Sequence, residues 1–447
     1  MGEDTRMTEL DAFEADARMD ALRQRVAQSG TVDVAAGNVN MHMHSFFSYN
    51  ATGWSPSHLV CAAAEAGLYG VGLCDFDVLD GLEEFLAAGR AVGMRSAVHL
   101  ETRAYLSEYA EHDISSPGEP GVTYIMGGAF PRLPDPGSHQ AKQLAALREG
   151  ARTRNEALID RISAKVPALT LDYEGEVMPL TPSGNATERH IVSAYVDRAA
   201  AQCESPDALA AFWSDLLEQD PADVTSLLGN RPGLEEAVRS RLAKRGGLGY
   251  SAPSQDTFPS VDTFLKWVAD CDAIPMITWL DGTSTGEANP RELCECLCAK
   301  GAVALNIVPD RNWNISDPDV RAIKIANLKA IMDVATDLGL PVNIGTEMNK
   351  LGLPFVDDLD GEVLGQYKEV FLEGARIMVG HTLLARYAAF PYAGPAAASA
   401  FPDVQTRNRF FDGIGGLSAL SEAQDDLLTE MGPERALSWF RDTLNRL

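Results

Sequence analysis

The chain lacks several features that would assign it to a class at once. It has no apolar run approaching the ~20 residues of a membrane span, and residues 1–18 lack the apolar segment of a signal peptide. Lysine and arginine total 37 against 64 aspartates and glutamates, and the net charge is −27. Such a charge repels nucleic acid and anionic membranes, so we expect neither as a partner. The seven cysteines are scattered and odd in number, which indicates free thiols in a cytoplasmic protein.

The chain does have a regular alternation of short apolar runs and helical patterns. Apolar runs at residues 39–43, 69–74 and 94–100 predict strands, and the segments that begin at Ser55-Pro56 and at residue 81 predict helices between them. Strands that alternate with helices in this way are typical of a parallel sheet or an α/β barrel. Polar residues follow the predicted strand ends, and in such barrels that end carries the chemistry.

The length of 447 residues allows one large domain with insertions or several smaller domains. The pattern predicts an N-terminal tail and helix over 1–37, a barrel built from 38–137 and 258–390, a helical insertion or lid over 138–257, and C-terminal helices over 391–447. In the second part of the barrel, strands are predicted at 274–279, 302–308, 341–345 and 377–379, and the last of them ends at His381.

The most informative motif is a pair of histidines, His42 and His44, at the end of the first predicted strand. Residues i and i+2 of a strand point to the same face, so both imidazoles would face one point in space. Two neutral imidazoles that converge on one point are half of a site for a divalent metal ion. The sequence therefore predicts a metal site whose other ligands come from later strands.

The order of motifs along the chain resembles that of the PHP (polymerase and histidinol phosphatase) family over roughly residues 38 to 350. The family's His-x-His-Ser, Asp-His-Asp, Gly-x-Glu and Gly-Ser-Asp-x-His motifs are similar to four segments here: His42-Met43-His44-Ser45, Asp75-Phe76-Asp77, His99-Leu100-Glu101 and Gly345-Thr346-Glu347-Met348-Asn349. Another segment, Arg189-His190-Ile191-Val192, resembles the Gly-Arg-Pro-His-Ile-Ala segment of the family. The resemblance implies a PHP-like distorted (β/α)7 barrel and metal-dependent hydrolysis of phosphoesters.

The family usually holds a cluster of three metal ions, and the resemblance implies that this chain retains one of the three sites. The retained site has all its ligands, which would be His42, His44, Glu101 and Glu347. The second site would need histidines near Tyr124 and Trp279, and the third would need them at Phe76 and Asn349. We therefore expect one divalent ion, Zn²⁺, Mn²⁺ or Fe²⁺, at a reduced centre.

The expected activity is that of a phosphoesterase-like hydrolase, which acts on a small phosphorylated or polyhydroxylated metabolite by means of a metal-activated water. Candidates for proton transfer are the polar residues at strand ends: Asp75, Asp77, Asp281 and His381. Candidates for substrate binding are Arg189, His190, Arg311 and Asn349. Two alternatives stay open: a metal-dependent sugar isomerase, epimerase or lyase, and an inactive PHP-like module that binds a ligand without turnover.

Overall fold

The computed structural model describes residues 9–29 and 37–446, so residues 1–8 and 30–36 of the predicted N-terminal tail and helix lie outside the described residues. The strands are β1 (Val39–Met43), β2 (Gly70–Phe76), β3 (Arg95–Tyr105), β4 (Val122–Gly128), β5 (Ile274–Trp279), β6 (Ala304–Ile307) and β7 (Val342–Ile344). The first helices are α1 (Ala15–Ser29), α2 (Pro56–Glu65), α3 (Leu82–Val92), α4 (His139–Lys165), α5 (Glu188–Gln202), α6 (Pro206–Leu217), α7 (Pro221–Leu228) and α8 (Arg231–Leu242). The later helices are α9 (Val261–Asp270), α10 (Pro290–Ala299), α11 (Asp310–Trp313), α12 (Pro318–Leu338), α13 (Lys368–Ala388), α14 (Pro395–Ala400), α15 (Val404–Gly416), α16 (Glu422–Met431) and α17 (Pro433–Leu444).

The strands form one seven-stranded sheet in chain order, and a parallel bridge between Met43 and Glu347 brings its two edges together. The predicted α/β barrel is therefore confirmed as a distorted, nearly closed barrel. One strand departs from the expected parallel arrangement, because β4 runs antiparallel to both β3 and β5. The loop from β3 to β4 contains a short 3-10 turn, Ser107–Tyr109, in place of the long crossover helix that a parallel pair requires.

The predicted strand at residues 377–379 is wrong, because Ile377, Met378 and Val379 lie in the middle of helix α13. A short apolar run has the same appearance in a buried strand and in a buried helix, and here 14 of the 21 residues of the helix are buried. This helix packs across the end of the barrel at which β7 begins. That end, where the parallel strands start, is called the floor of the barrel below. The approach is close: a Cβ added to Gly374 would lie 1.9 Å from the carbonyl oxygen of Val342, so only glycine fits there.

Among the residues that the structure describes, there are two large hydrophobic cores and one small cluster of Phe46, Phe47 and Val78. The larger core fills the space between the barrel strands and their surrounding helices, and it extends to Phe411 and Phe440 of the C-terminal helices. The smaller core lies within helices α4–α8 and includes Ile162, Tyr195 and Trp213. The bounds of the predicted insertion, 138–257, remain a prediction, although these helices clearly have a core of their own. None of the helices that the structure describes is long and apolar enough to cross a bilayer.

Candidate metal centre

The centre of the candidate site is formed by His42 and His44 at the carboxyl end of β1 and by Glu101 in the middle of β3, opposite the last residue of β2. The Nε2 atoms of His42 and His44 each lie 3.7 Å from the same oxygen, Oε2 of Glu101. Their ligand atoms all lie within 4.8 Å of one another, and all three side chains are buried. Strand alternation explains the pairing, because residues 42 and 44 share a face of β1 and its continuation.

These three residues fit a divalent ion. Both Nε2 atoms are buried and have no hydrogen-bond partner, although buried polar nitrogens in proteins are nearly always paired. Two nitrogens and a carboxylate oxygen are a donor set that Zn²⁺, Mn²⁺ and Fe²⁺ accept. Within the part of the chain that the structure describes, no other set of three histidine, cysteine or acidic side chains is grouped in this way.

The two imidazoles differ in their affinity for protons. Burial disfavours the charged form of both rings, but contacts of His42 with the Cys74 thiol and the Glu101 carboxylate raise the pKa of His42 well above its ordinary value. Burial, together with the nearby charge of His42, lowers the pKa of His44 to about 3. A proton at this site is therefore held by His42 rather than by His44, and an ion that binds there must displace it.

Glu347, the predicted fourth ligand, is held next to the group in an unusual backbone conformation. Its φ is 61° and that of Met348 is 58°, a left-handed region that is costly for residues other than glycine. Its backbone is paired with β1 on both sides: its N–H donates to the His42 carbonyl at 2.7 Å, and its own carbonyl accepts from the His44 N–H at 2.8 Å. Strain of this kind is common at functional sites, where surrounding contacts maintain it.

The Glu347 side chain is paired with Arg311 rather than with the histidines. Its Oε2 accepts from Arg311 Nη2 at 2.7 Å and from Asn349 Nδ2 at 3.1 Å. Burial alone would raise the pKa of Glu347, but the Arg311 guanidinium holds that pKa well below its ordinary value. The structure thus brings two predicted substrate-binding residues, Arg311 and Asn349, to the edge of the metal site by way of this one carboxylate.

Of the residues predicted to transfer protons, Asp75 holds the loop that follows β1 by hydrogen bonds. Its carboxylate accepts from the Ser45 N–H at 2.8 Å, from Ser45 Oγ at 2.6 Å and from Ser48 Oγ at 2.7 Å. Ser48 Oγ in turn lies 3.4 Å from Nδ1 of His44. Burial raises the pKa of Asp75 to about 6 in spite of these bonds. Asp75 therefore shapes the loop that carries His44.

Asp77 lies at the mouth of the barrel, just after β2, with a φ of 62°. It accepts from Thr102 Oγ1 at 2.5 Å and lies 3.4 Å from Nη2 of Arg154. Burial raises the pKa of its carboxyl group, and Arg154 opposes that rise. Asp281, by contrast, accepts a hydrogen bond from the Thr283 N–H of its own turn, and Nζ of Lys324 on helix α12 lies 2.8 Å from its carboxylate.

His381 does not reach the metal site, which corrects the expectation that it ends a strand. It is fully buried on helix α13, and its Nδ1 accepts from the Tyr392 N–H at 2.9 Å. Its other neighbours are the backbone groups of Ala129 and Asp272, which follow β4 and precede β5. These positions belong to the floor of the barrel, because β4 runs antiparallel and β5 begins there.

Arg189 and His190 lie at the first turn of α5, in the helical region above the barrel. Arg189 is paired with Glu236 at 2.9 Å. His190 completes a capping box, in which its Nδ1 accepts from the Thr187 N–H at 3.0 Å, and burial lowers the pKa of His190 to about 4. The ring of His190 contacts that of Tyr49, with 5.4 Å between centroids, which places the pair near the loop that follows His44.

Aromatic rings fill positions where additional metal ligands would be expected by the family resemblance. The Phe76 ring stacks on His44, with centroids 5.8 Å apart and an interplanar angle of 24°. Its edge meets the Tyr124 ring, also at 5.8 Å. Trp279 is buried as well. Phe76 and Tyr124 thus form an apolar wall beside His44.

Two arginines beside Asp77, Arg103 and Arg154, were not among the candidate site residues. The guanidinium carbons of Arg103 and Arg154 lie 4.5 and 4.8 Å from the centroid of the Phe258 ring. Arg103 also bonds to Glu119 at 2.9 Å. The position of Arg103, two residues after Glu101 on β3, was a usable signal, because both residues then share the inner face of the strand. Arg154 comes from α4, so only the tertiary structure brings it to this ring.

No protein-family model matches the chain, and no curated protein matches it. Several solved structures are similar to it, among them the following two. One is a protein from Bifidobacterium adolescentis named as a metal-dependent phosphoesterase, with 18% identity, a TM-score of 0.46, and coverage of 72% of this chain and 94% of that one. The other is an amidohydrolase from Chromobacterium violaceum with bound sulfate and no metal, with 16% identity, a TM-score of 0.47, and coverage of 75% and 96%. Likeness at this level carries no argument about what this chain does.

Proposed function

We propose that the protein is a metal-dependent hydrolase of a small anionic metabolite, a phosphomonoester in the simplest case. The observation that carries this proposal is the convergence of two unpaired, buried Nε2 atoms, of His42 and His44, on one oxygen of Glu101. Glu347 would complete the set for a single Zn²⁺, Mn²⁺ or Fe²⁺ ion. Such an ion lowers the pKa of a water molecule and polarises a substrate oxygen.

The cations at the mouth support an anionic substrate. The chain has a net charge of −27, yet Arg311 lies beside Glu101 and Glu347, and Arg103 and Arg154 lie beside Asp77. Arg311 bonds to Glu347 through Nη2, and its side chain remains 43% exposed, which leaves other N–H groups available at the mouth. A guanidinium with free donors is well suited to bind a phosphate or carboxylate group.

Asp77 is the residue to which we assign proton transfer. Both oxygens of Asp75 accept hydrogen bonds from serine hydroxyls, Asp281 is paired with Lys324, and His381 lies on the floor. Asp77 is held less tightly, because Thr102 donates to its Oδ1 while its Oδ2 lies 3.4 Å from Arg154. Asp77 lies at the mouth, and its raised pKa suits a group that exchanges a proton during turnover. In the hydrolysis, the water oxygen bonds to phosphorus and gives up a proton to Asp77, the ester P–O bond breaks, and Asp77 returns that proton to the leaving oxygen.

The test is metal analysis followed by activity assays. Protein purified without added metal should contain about one equivalent of a divalent ion per chain, and this ion should be lost in a His42→Ala/His44→Ala variant. The matched control is His112→Ala/His139→Ala, because both of those histidines are exposed. Phosphate release from a panel of phosphomonoesters should depend on the ion.

Several outcomes would contradict the proposal. Two or more equivalents per chain would refute the single site, and no bound metal would favour an inactive module. Phosphate release that persists after chelation and in the double variant would refute the mechanism. Conversion of sugar substrates without phosphate release would assign the site to an isomerase or lyase instead.

A further inference from the structure

A pair of asparagines lies inside the barrel next to His42, and no step of the proposed hydrolysis uses them. Asn306 of β6 and Asn343 of β7 are neighbours in the parallel register, and both are fully buried. Asn343 Nδ2 donates to the Met41 carbonyl at 3.1 Å and to Asn306 Oδ1 at 2.9 Å. The same Asn306 oxygen lies 3.2 Å from Nδ1 of His42.

This chain of contacts allows only one assignment of donors and acceptors. A backbone carbonyl only accepts, so Asn343 must present its NH₂ group to Met41, and the same group then faces Asn306. Asn306 must therefore present its oxygen, because the reversed amide would place two NH₂ groups against each other. That oxygen also faces Nδ1 of His42, so Nδ1 must carry a proton.

We propose that Asn306 and Asn343 are positioning residues that hold His42 in the tautomer with a proton on Nδ1 and a free lone pair on Nε2. The Nε2 atom is the one directed at Glu101, so this tautomer presents its lone pair to the metal centre. The inference deepens the proposed function and rests on it for the identity of the centre. Ring nitrogens that face away from a bound metal are commonly held in this way, and loss of the holding group weakens metal binding.

The arrangement has a cost that a purely structural core would avoid. Asn306 Nδ2 and Asn343 Oδ1 are buried without a hydrogen-bond partner. A buried amide group with an unpaired end is unfavourable, and a pair of apolar residues would fill the same space without that penalty. The two amides are explained by their hydrogen-bonded ends. Those ends fix the direction of the hydrogen bonds that run from Met41 through Asn343 and Asn306 to His42.

The test uses the ring nitrogens of His42 as a spectroscopic signature. In ¹⁵N-histidine NMR of metal-free protein, recorded at a pH where His42 is neutral, we expect the wild type to show a protonated Nδ1 and an unprotonated Nε2. Asn306→Leu should give a mixture of tautomers and a zinc affinity lower by roughly 10–100-fold. Asn306→Asp keeps an acceptor and should restore both the tautomer and the affinity. Asn343→Leu should give a loss of zinc affinity between those of the wild type and Asn306→Leu, because the side-chain amide of Asn306 can then rotate and exchange its oxygen and nitrogen.

Two controls separate this role from a loss of folding. The His44 signal should not change in any Asn306 variant, because its Nδ1 faces Ser48. Asn408→Leu removes another buried amide, one that bonds to the Gly339 carbonyl, and should leave both histidine tautomers and zinc affinity unchanged. A wild-type His42 with its proton on Nε2, or a folded Asn306→Leu protein with unchanged tautomer and affinity, would overturn the inference. A wild type with the Nδ1 proton but no affinity for any divalent ion would support the positioning role and refute the proposed function.

Discussion

Replacing Arg311 by Gln should destabilise the metal-free protein, because it leaves Glu347 charged and buried without its partner. The Arg311–Glu347 contact is 2.7 Å long, and the Glu347 side chain is 10% exposed while that of Arg311 is 43% exposed. Asn349 is the other donor to the same oxygen, and as a neutral amide it cannot replace the lost charge. The left-handed backbone at residue 347 also limits how far the carboxylate can move away.

The size of the effect follows from the burial of the two partners. Removing one partner of a fully buried ion pair costs ~3–5 kcal/mol, whereas an exposed pair contributes ~0–1 kcal/mol. Because Arg311 is partly exposed, water can solvate part of its charge, and we expect ~1–3 kcal/mol for Arg311→Gln. The pKa of Glu347 is lowered in the folded state, so the stabilisation is present above the ordinary pKa of glutamate and is lost as the pH falls below it.

Urea denaturation of chelator-treated protein would measure this cost at neutral pH and again at a pH below the ordinary pKa of glutamate. The matched control is Arg291→Gln, because Arg291 is similarly exposed, at 45%, but pairs only with exposed carboxylates. We expect a clear cost for Arg311→Gln at neutral pH, a smaller cost in acid, and almost none for the control. A divalent ion should reduce the cost, since it can neutralise Glu347 instead. Equal costs for the two variants, or a cost for Arg311→Gln that is unchanged in acid, would refute the reasoning.

Three further predictions concern the loop after β1, the packing of helix α13 against β7, and the pH dependence of zinc binding. Asp75→Ala removes the acceptor of three hydrogen bonds and should lower the free energy of unfolding by ~3–5 kcal/mol, as measured in urea, whereas Asp75→Asn should cost less. Gly374→Ala should cost at least the ~1–3 kcal/mol of an overpacked core, because its Cβ would overlap the Val342 carbonyl; a wild-type melting temperature would contradict this. Zinc affinity should fall as the pH drops below the raised pKa of His42, with about one proton released per ion in calorimetry across buffers, and a pH-independent affinity would show that His42 is neutral before the ion binds.

The parts of the site that could be predicted from sequence are those that depend on local geometry. His42 and His44 converge because residues i and i+2 of a strand share a face, whatever the rest of the chain does. Ser55 is the N-cap of α2, where it accepts from the His58 N–H, and Pro56 is its first residue, as predicted. Glu101 was predicted by the family resemblance, and the strand carries it to 3.7 Å from both histidines.

Other parts depend on how distant segments pack. The apolar run at Ile377–Val379 had no feature that distinguished a strand from a helix, and only the space on the barrel floor decides for the helix. His381 moves with it, away from the site. The pairing of Glu347 with Arg311 joins two loops that follow different strands, and no spacing in the sequence specifies it.

By itself, the sequence determined the alternation of strands and helices, the acidic charge and the paired imidazoles, because periodicity, composition and strand geometry are local properties. The tertiary structure decided which polar groups are partners: Asn306 for His42, Ser48 for His44 and Arg311 for Glu347. The physical reason is that burial makes every unpaired polar group costly, so each buried group takes the partner that folding brings within reach. The same rule identifies the centre, because the two histidine nitrogens that face Glu101 are left without a hydrogen-bond partner.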